Sequence, residues 1–453
     1  MTTTASPASE IHDVNPVRDR PRRGVTLIGP LIVVLLGGLA VGRFLFAGSS
    51  PSETQTVVVG TELDSLRART VAEPESPTAW LAYGETAMRT AIATGDPSFY
   101  GAAQSALDTA LRLAPDSADA LAARAGLALS LHDFPGALPL AERAAELNRF
   151  GVNALAALVD ARLENGDYDG AEATLKQLLD VNPGTPAYAR VSYFRQLTGD
   201  LEGARTAMQQ AVQAAGPGNG RAVVLGYLGD LNLEMGDYDA AEEAYSAALA
   251  QQPGNIAAEL GHARVLIARG SLAEATARLD ALVARSPQPA PATLRGELAL
   301  LQGDSTSADS AFRLVRANQL ILRSQGISTD IESSNFDADR GDWAAALETA
   351  RAAHTTRQTM FSADALAWAL LNVGRSTEAV PLIEDALALG ITTPSIRVHA
   401  AAIYAEVRQP ERAHDELAIA FRSTPWLTPS IRPVAARLAD ELGLTPPQNW
   451  SPL

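Results

Sequence analysis

The sequence predicts an all-α fold, an α-solenoid in which helix pairs stack one after another, and three observations support this prediction. A short turn motif recurs at intervals of 33–38 residues, glycine recurs at one fixed place in the motif, and small residues recur at two further places. This period is typical of helix–turn–helix units that stack because no unit can bury its apolar face alone. The 453 residues are enough for about ten such units.

The turn motif is clearest in residues 164–172 and 234–242, which read ENGDYDGAE and EMGDYDAAE and lie 70 residues apart. Each contains an alanine just after the turn, and this alanine serves as the anchor of the alignment. The equivalent alanines are Ala103, Ala137, Ala171, Ala204, Ala241, Ala275, Ala308, Ala346, Ala379 and Ala413.

The other recurring positions each have a structural reason. A glycine five residues before the anchor suits the left-handed conformation at a helix C-terminus. An acidic or hydroxyl residue then caps the next helix. Small residues twelve before and seven after the anchor allow close helix contact, and a proline twelve after it ends the second helix. The glycines are Gly166, Gly199, Gly236, Gly270, Gly303, Gly341 and Gly374, and the expected caps are Asp167, Asp200, Asp237, Ser271, Asp304 and Asp342.

This pattern resembles the tetratricopeptide repeat. Trp80, Tyr83 and Gly84 match the start of that family's motif, and Tyr245 and Phe312 occupy its second-helix aromatic position. The resemblance covers residues 77–426 and implies a right-handed superhelix of about ten repeats, whose first helices line a concave groove. Residues 428–442 form one more amphipathic stretch, so residues 427–453 are predicted to be a capping helix and a tail.

The N-terminal region predicts a membrane segment. Residues 1–23 are polar and end in a cluster of arginines, and the uncharged run 24–42 would rise about 28 Å as a helix, roughly the thickness of the bilayer core. We predict a transmembrane helix over residues 24–47, acting as a signal anchor, and a linker over residues 48–76. The arginines before this run favour a single-pass protein of the cell membrane, with residues 1–23 in the cytoplasm and the array extracytoplasmic.

Two alternatives concern this segment. A cleaved signal peptide is less favoured, because the apolar run is long and residues 44–48 form a poor cleavage sequence. Gly38 and Gly42 have the G-x-x-x-G spacing that lets two membrane helices approach closely, which would give a homodimer. Chance occurrence in a chain rich in alanine and glycine is the favoured explanation.

Composition and charge exclude several classes of function. The chain has no cysteine, which rules out disulfides, thiolate metal sites and a cysteine nucleophile. Residues 1–43 have a net charge of +2, so the rest of the chain has −18 against a total of −16. Such an acidic body argues against nucleic acid as a partner, since phosphate binding needs clustered Lys and Arg.

No motif predicts an enzyme. The six histidines show no metal-binding spacing, and the acidic run at residues 165–170 lacks the twelfth-position glutamate of a calcium loop, where Lys176 stands instead. The glycine-rich residues 216–220 lack the strand and the Lys-Ser/Thr of a phosphate-binding loop. We therefore expect no catalytic residue, no cofactor and no metal.

The family's groove positions, carried over to this chain, give a mainly acidic lining that would bind a protein or peptide, basic or amphipathic in character. An equally weighted alternative is that these acids form a solvated face. The candidate groove residues are Glu85, Asp160, Glu164, Tyr193, Asp230, Glu234, Arg264, Glu297, Asn335, Asp339, Asp364, Trp368 and Glu406.

The predicted function is a membrane-tethered scaffold that binds a partner protein in the groove of the superhelix. The alternatives are a chaperone-like assembly factor for secreted or membrane complexes, of the envelope or cytochrome biogenesis type, and a cytoplasm-facing adaptor or accessory subunit of an enzyme. The arginine-rich and alanine-rich composition favours a bacterial source.

Overall fold

The fold is a helical array, seen in a computed structural model that describes residues 55–94, 96–422 and 426–447. This part of the chain contains 22 α-helices and no strand. The helices are α1 (Gln55–Ala72), α2 (Pro77–Thr94), α3 (Ser98–Leu113), α4 (Ala118–Ser130), α5 (Phe134–Leu147), α6 (Val152–Glu164), α7 (Tyr168–Val181), α8 (Thr185–Leu197), α9 (Leu201–Ala214), α10 (Asn219–Glu234), α11 (Tyr238–Gln251), α12 (Ile256–Ala268), α13 (Leu272–Arg285), α14 (Pro289–Leu301), α15 (Ser305–Ser324), α16 (Asp330–Asp339), α17 (Trp343–Thr356), α18 (Met360–Asn372), α19 (Ser376–Leu387), α20 (Pro394–Glu406), α21 (Pro410–Phe421) and α22 (Arg432–Leu442).

Helices α2 to α21 form ten antiparallel pairs, numbered here as repeats 1 (α2 and α3) to 10 (α20 and α21). The first helix of each pair is called the A helix and the second the B helix. Every anchor alanine predicted from the sequence lies in a B helix, and all ten are 0% exposed. The predicted repeat count and alignment are therefore confirmed.

The A and B helices differ in how much of their surface is buried. The A helix α18 buries ten of its thirteen residues, whereas the B helix α19 buries only Ala379, Ile383 and Ala386. A helix that is apolar all round must be enclosed, and one with a single apolar stripe lies at the surface. The A helices therefore form the inner face of the array and the B helices its outside.

The turn within each pair has the predicted geometry. Asp167, for example, accepts a hydrogen bond at 3.0 Å from the backbone N–H of Gly170, and it thereby caps α7. Asp133, Asp200, Asp237, Asp304 and Asp342 cap their helices in the same way. Ser271 differs, because its side chain makes no capping hydrogen bond although it occupies the N-cap position.

In repeats 2 to 10 the residue five before the anchor is left-handed even where it is not glycine, whereas Ser98 of repeat 1 begins helix α3. The seven predicted glycines have φ between +76° and +81°, and His132 and Arg408 hold the same place in repeats 2 and 10 with φ of 61° and 59°. Left-handed backbone costs an L-residue about 1–2 kcal/mol. The turn geometry is therefore set by helix packing and is retained at positions where the sequence disfavours it.

Both ends of the array carry an extra helix. Helix α1 lies within the segment predicted as a linker, and Leu63 of this helix packs against the buried cluster that contains Ala87 and Met88 of α2. Apolar contact with the first repeat thus stabilises this helix. At the other end, α22 matches the predicted capping helix and buries Ala435 and Leu438.

The membrane prediction requires correction. Among the described residues, no helix combines the length and the apolar character needed to cross a membrane. The longest, α15, has 20 residues but carries Asp309 and three arginines. The predicted localisation as a single-pass membrane protein is therefore not supported. The predicted transmembrane helix over residues 24–47, with Gly38 and Gly42, and the tail 1–23 lie outside the described residues.

The array coils back on itself, so that repeats 7–10 contact repeats 2–5. The loop that follows each of repeats 7 to 10 lies against the turn or A-helix end of the repeat numbered five lower, and these contacts form the inter-turn interface. They join Ser328 to Leu131, Gln358 to Gly166, Gly390 to Gly199, and Trp426 to Leu233.

Two glycines are required by this interface as well as by their own turns. A Cβ atom on Gly166 would lie 2.4 Å from the carbonyl oxygen of Gln358, and one on Gly199 would lie 2.4 Å from that of Gly390. Gly270 has the same left-handed backbone, with φ of +78°, but open space around it. Substitution at Gly270 therefore measures the free-energy cost of the left-handed turn alone. Substitution at Gly166 or Gly199 measures that cost together with the clash at the inter-turn interface.

We predict that Gly270→Ala lowers the free energy of unfolding by about 1 kcal/mol, the cost of left-handed backbone. Gly166→Ala adds a clash with the Gln358 carbonyl, so we expect a total loss of about 2–4 kcal/mol. Urea denaturation followed by circular dichroism measures both. Equal losses in the two variants would show that the inter-turn interface does not constrain the chain.

Candidate functional site

All thirteen candidate groove residues lie on A helices, as the sequence alignment requires, but most of them are not open to solvent. Asp160, Glu164, Tyr193, Glu297, Asp364 and Trp368 are buried, Glu85, Asp230, Glu234, Arg264 and Asp339 are half-buried, and Asn335 and Glu406 are exposed. The inner face is therefore built largely from side chains that contact other parts of the chain.

The most deeply buried charges form a pair between neighbouring repeats. Arg190 of α8 donates from Nε to Asp160 Oδ1 at 2.7 Å and from Nη2 to Oδ2 at 2.5 Å. The two side chains are 1% and 0% exposed. Burial raises the pKa of Asp160 to about 6, while Arg190 opposes the shift. Removing one member of such a pair would leave the other charge buried and unbalanced, so we assign the pair a structural role.

Glu164 forms an ion pair across the inter-turn interface. Its Oε2 accepts from Nη1 of Arg357 at 2.7 Å, although the two residues are 193 positions apart in the chain. The Arg357 guanidinium also lies 4.1 Å above the ring of Phe134. Burial raises the pKa of Glu164 to about 7, and Arg357 opposes this rise. Beside this pair, the backbone N–H of Met360 donates to Tyr168 Oη at 3.1 Å.

The acids of α10 are also partnered within the chain. Asp230 accepts from the buried Tyr245 hydroxyl at 2.7 Å and lies 3.4 Å from Nη1 of Arg264. Glu234 accepts from the Thr393 hydroxyl at 3.1 Å, which joins α10 of repeat 5 to the loop after repeat 9, and it also accepts from Gln196.

Carboxylates of α14 and α16 form a further cluster. Glu297 lies 3.4 Å from Nη2 of Arg340, and Asp339 accepts from the Ser430 hydroxyl at 3.1 Å. Burial raises the pKa of Glu297 to about 7; the negative charge of Asp339 raises it further and Arg340 opposes the rise. Burial also raises the pKa of Asp339.

The aromatic candidate Trp368 belongs to a stacked group. His399 lies parallel to its ring at 4.2 Å between centroids, and Trp343 meets it edge-on at 6.2 Å. Nδ1 of His399 is hydrogen-bonded to Asp364 at 2.9 Å. Both Asp364 and Trp368 are thus held by His399 of the next repeat.

The inner-face acids and Trp368 in these contacts were identified from the sequence, but several of the residues that bind them were missed. Arg190 and His399 occupy the same place in their repeats, fourteen residues before the anchor, and each contacts the preceding repeat. Comparison of that position across the repeats would have identified both residues. Arg357 and Ser430 lie in loops after α17 and α21, where no periodic signal exists.

The described residues contain no group of three or more His, Cys, Asp or Glu side chains that could hold a metal ion. The expectation of no cofactor, no metal and no catalytic residue stays a prediction. What the arrangement offers is an inner face of positioned charges, most of which are paired within the chain.

These features define an α-solenoid repeat protein. Models of the tetratricopeptide repeat match residues 128–192 and 232–298, and a second such model matches residues 91–151 and 197–256. Residues 91–192 and 197–298 thus match tetratricopeptide repeats, as the sequence resemblance implied. This fold is typically a non-catalytic scaffold, and tetratricopeptide-repeat proteins mediate protein–protein interactions.

Solved structures are similar at the level of the helical repeat. A tetratricopeptide-repeat protein of Thermus thermophilus is 22% identical, with a TM-score of 0.36 over 40% of this chain and 98% of its own. Pseudomonas aeruginosa PilF is 20% identical, with a TM-score of 0.37 over 44% and 91%. Human IFIT1, in a dimer with PPP-AAAA, is 16% identical, with a TM-score of 0.47 over 72% and 77%. A search of curated proteins gives no match.

The buried acids predict a pH dependence of stability. Glu297 has a folded-state pKa of about 7 against an ordinary value of 4.5, so between these values the folded chain retains a proton that the unfolded chain has lost. The stabilisation by this proton is full below pH 4.5 and is lost as the pH rises through about 7. We expect Glu297→Gln to remove roughly 2 kcal/mol of the change in unfolding free energy between pH 5 and pH 7.5.

Urea denaturation at several pH values measures this slope. The control is Glu172→Gln, the same substitution at an exposed position on the B helix α7. An unchanged slope in the Glu297 variant would contradict the prediction.

Proposed function

We propose that this protein is a non-catalytic scaffold that binds a peptide segment of a partner protein on the inner face of its array, with a preference for basic segments. The observation that carries the proposal is the excess of negative charge on a face whose positive groups are engaged within the chain. Arg190, Arg340 and Arg357 each pair with an inner-face carboxylate.

Carboxylates remain accessible at both ends of this face. Glu406 of α20 is exposed, and Glu85 of α2 is half-buried near Asp119 of the neighbouring A helix. Burial raises the pKa of Glu85, Arg89 opposes the rise, and Asp119 adds to it. A cationic side chain bound at such a place relieves repulsion between carboxylates, which favours basic ligands.

Binding of a peptide panel tests the proposal. The panel contains fluorescently labelled basic, neutral and acidic peptides of equal length and equal apolar content, and fluorescence anisotropy with the full chain gives their Kd values. We expect the basic peptides to bind at least about tenfold more tightly than the acidic ones, with affinity falling as salt rises. A preference for acidic peptides would refute the proposal.

Matched variants locate the binding face. We expect Glu85→Gln with Glu406→Gln to weaken binding of the basic peptides about threefold to tenfold, since each screened charge pair contributes up to about 1 kcal/mol. The control is Glu172→Gln with Glu243→Gln, which removes the same charge from exposed positions of the B helices α7 and α11. Equal weakening in both pairs would indicate a general charge effect and not a site.

A further inference from the structure

The chain places one of its own segments on the inner face. Residues 426–431 immediately precede α22. The backbone N–H of Trp426 donates to the carbonyl oxygen of Leu233, at the end of α10, at 3.3 Å. The Trp426 side chain packs against two apolar clusters, one containing Leu225 of α10 and the other containing Leu260 of α12 and Leu294 of α14. An aromatic side chain is therefore seated against the apolar clusters that repeats 5 to 7 form.

The residues that follow Trp426 contact repeats 8 to 10. Leu427 and Ile431 are buried in the apolar cluster of repeats 8 to 10. Ser430 donates its hydroxyl hydrogen to Asp339 at 3.1 Å, and Asp339 is one of the groove positions predicted from the sequence. The segment thus makes the backbone, apolar and polar contacts that a bound peptide makes in a groove.

A basic side chain completes the segment. The guanidinium of Arg432 lies 5.4 Å from the centre of the Trp426 ring, and its Nε donates to the Leu427 carbonyl oxygen at 3.0 Å. Arg432 is buried, and its charge is acted on by Tyr238 and by Glu297, a second predicted groove position. The segment therefore combines an aromatic and a basic side chain opposite acidic inner-face residues.

We propose that Trp426–Arg432 is an intramolecular occupant of a peptide site on the inner face of repeats 5–8. The same site accepts, from a partner protein, a peptide that adopts the conformation of this segment and has an aromatic side chain followed by a basic one. This inference rests on the proposed function and adds to it a binding place on repeats 5–8, apart from Glu85 and Glu406, together with the kind of peptide and competition by the chain itself. A partner peptide must displace the segment before it can bind.

A reversible crosslink tests the competition. The natural chain has no cysteine, so Asp339→Cys with Ser430→Cys introduces one specific pair at positions whose side chains meet. A short thiol crosslinker then fixes the segment in place, and the same variant without crosslinker is its matched control. The probe is a fluorescein-labelled peptide with the sequence of residues 426–434, and anisotropy reports its binding to the full chain.

We expect the uncrosslinked variant to bind this peptide at least about tenfold more tightly than the crosslinked one. We expect Trp426→Ala in the full chain to increase peptide binding over the natural protein, because its own segment competes less well. Peptides carrying Trp426→Ala or Arg432→Glu should bind at least tenfold more weakly to the uncrosslinked variant. Circular dichroism melting confirms that each protein is folded, and Ser430→Ala replaces Trp426→Ala if that variant unfolds.

The outcomes separate the two proposals. If the crosslink leaves peptide binding unchanged while basic panel peptides still bind more tightly than acidic ones, the segment does not occupy the site and the inference is overturned. If the segment peptide binds only the uncrosslinked form but the panel shows no charge preference, the inference holds and the proposed preference for basic partners fails.

Discussion

The packing of one superhelical turn against the next is the constraint on which the rest of this structure depends. Stacked repeats ordinarily touch only their neighbours, and the inner face then stays open. Here loops that follow repeats 7 to 10 lie against repeats 2 to 5, through contacts such as Gln358 with Gly166 and Met360 with Tyr168. This second layer of contacts covers part of the A helices, and it accounts for the buried Glu164, which pairs with Arg357 and whose pKa rises with burial.

The repeat structure was largely predictable from the sequence, because each of its signals is local. The anchor alanines, the turn glycines and the capping aspartates depend on a helix and its next neighbour, so their spacing survives in the chain as a period. Ala103 and Ala413, at opposite ends of the array, obey the same rule and are equally buried. At His132 and Arg408 the left-handed turn is kept although the residue is not glycine, so the backbone conformation is more constant than the residue type.

The inner face was predictable in position but not in environment. The family alignment placed Glu164 and Glu234 on the correct helices, yet their partners Arg357 and Thr393 lie 193 and 159 residues away in sequence. No local pattern encodes how tightly a solenoid coils, because the coiling angle sums small rotations over many repeats. The seating of Trp426 against α10 was beyond sequence reasoning for the same reason.

The offset of five repeats in the inter-turn interface has an evolutionary consequence. A simple solenoid tolerates gain or loss of one unit, since each unit meets an equivalent neighbour afterwards. In this chain, deleting a unit between repeats 3 and 8 would bring the loop after repeat 8 opposite repeat 2 instead of repeat 3. Arg357 would then meet residues other than Glu164, and each later contact would be shifted in the same way. The number of units between repeats 3 and 8 is therefore constrained by these contacts, and variation in that span is expected by substitution within units and not by gain or loss of a unit.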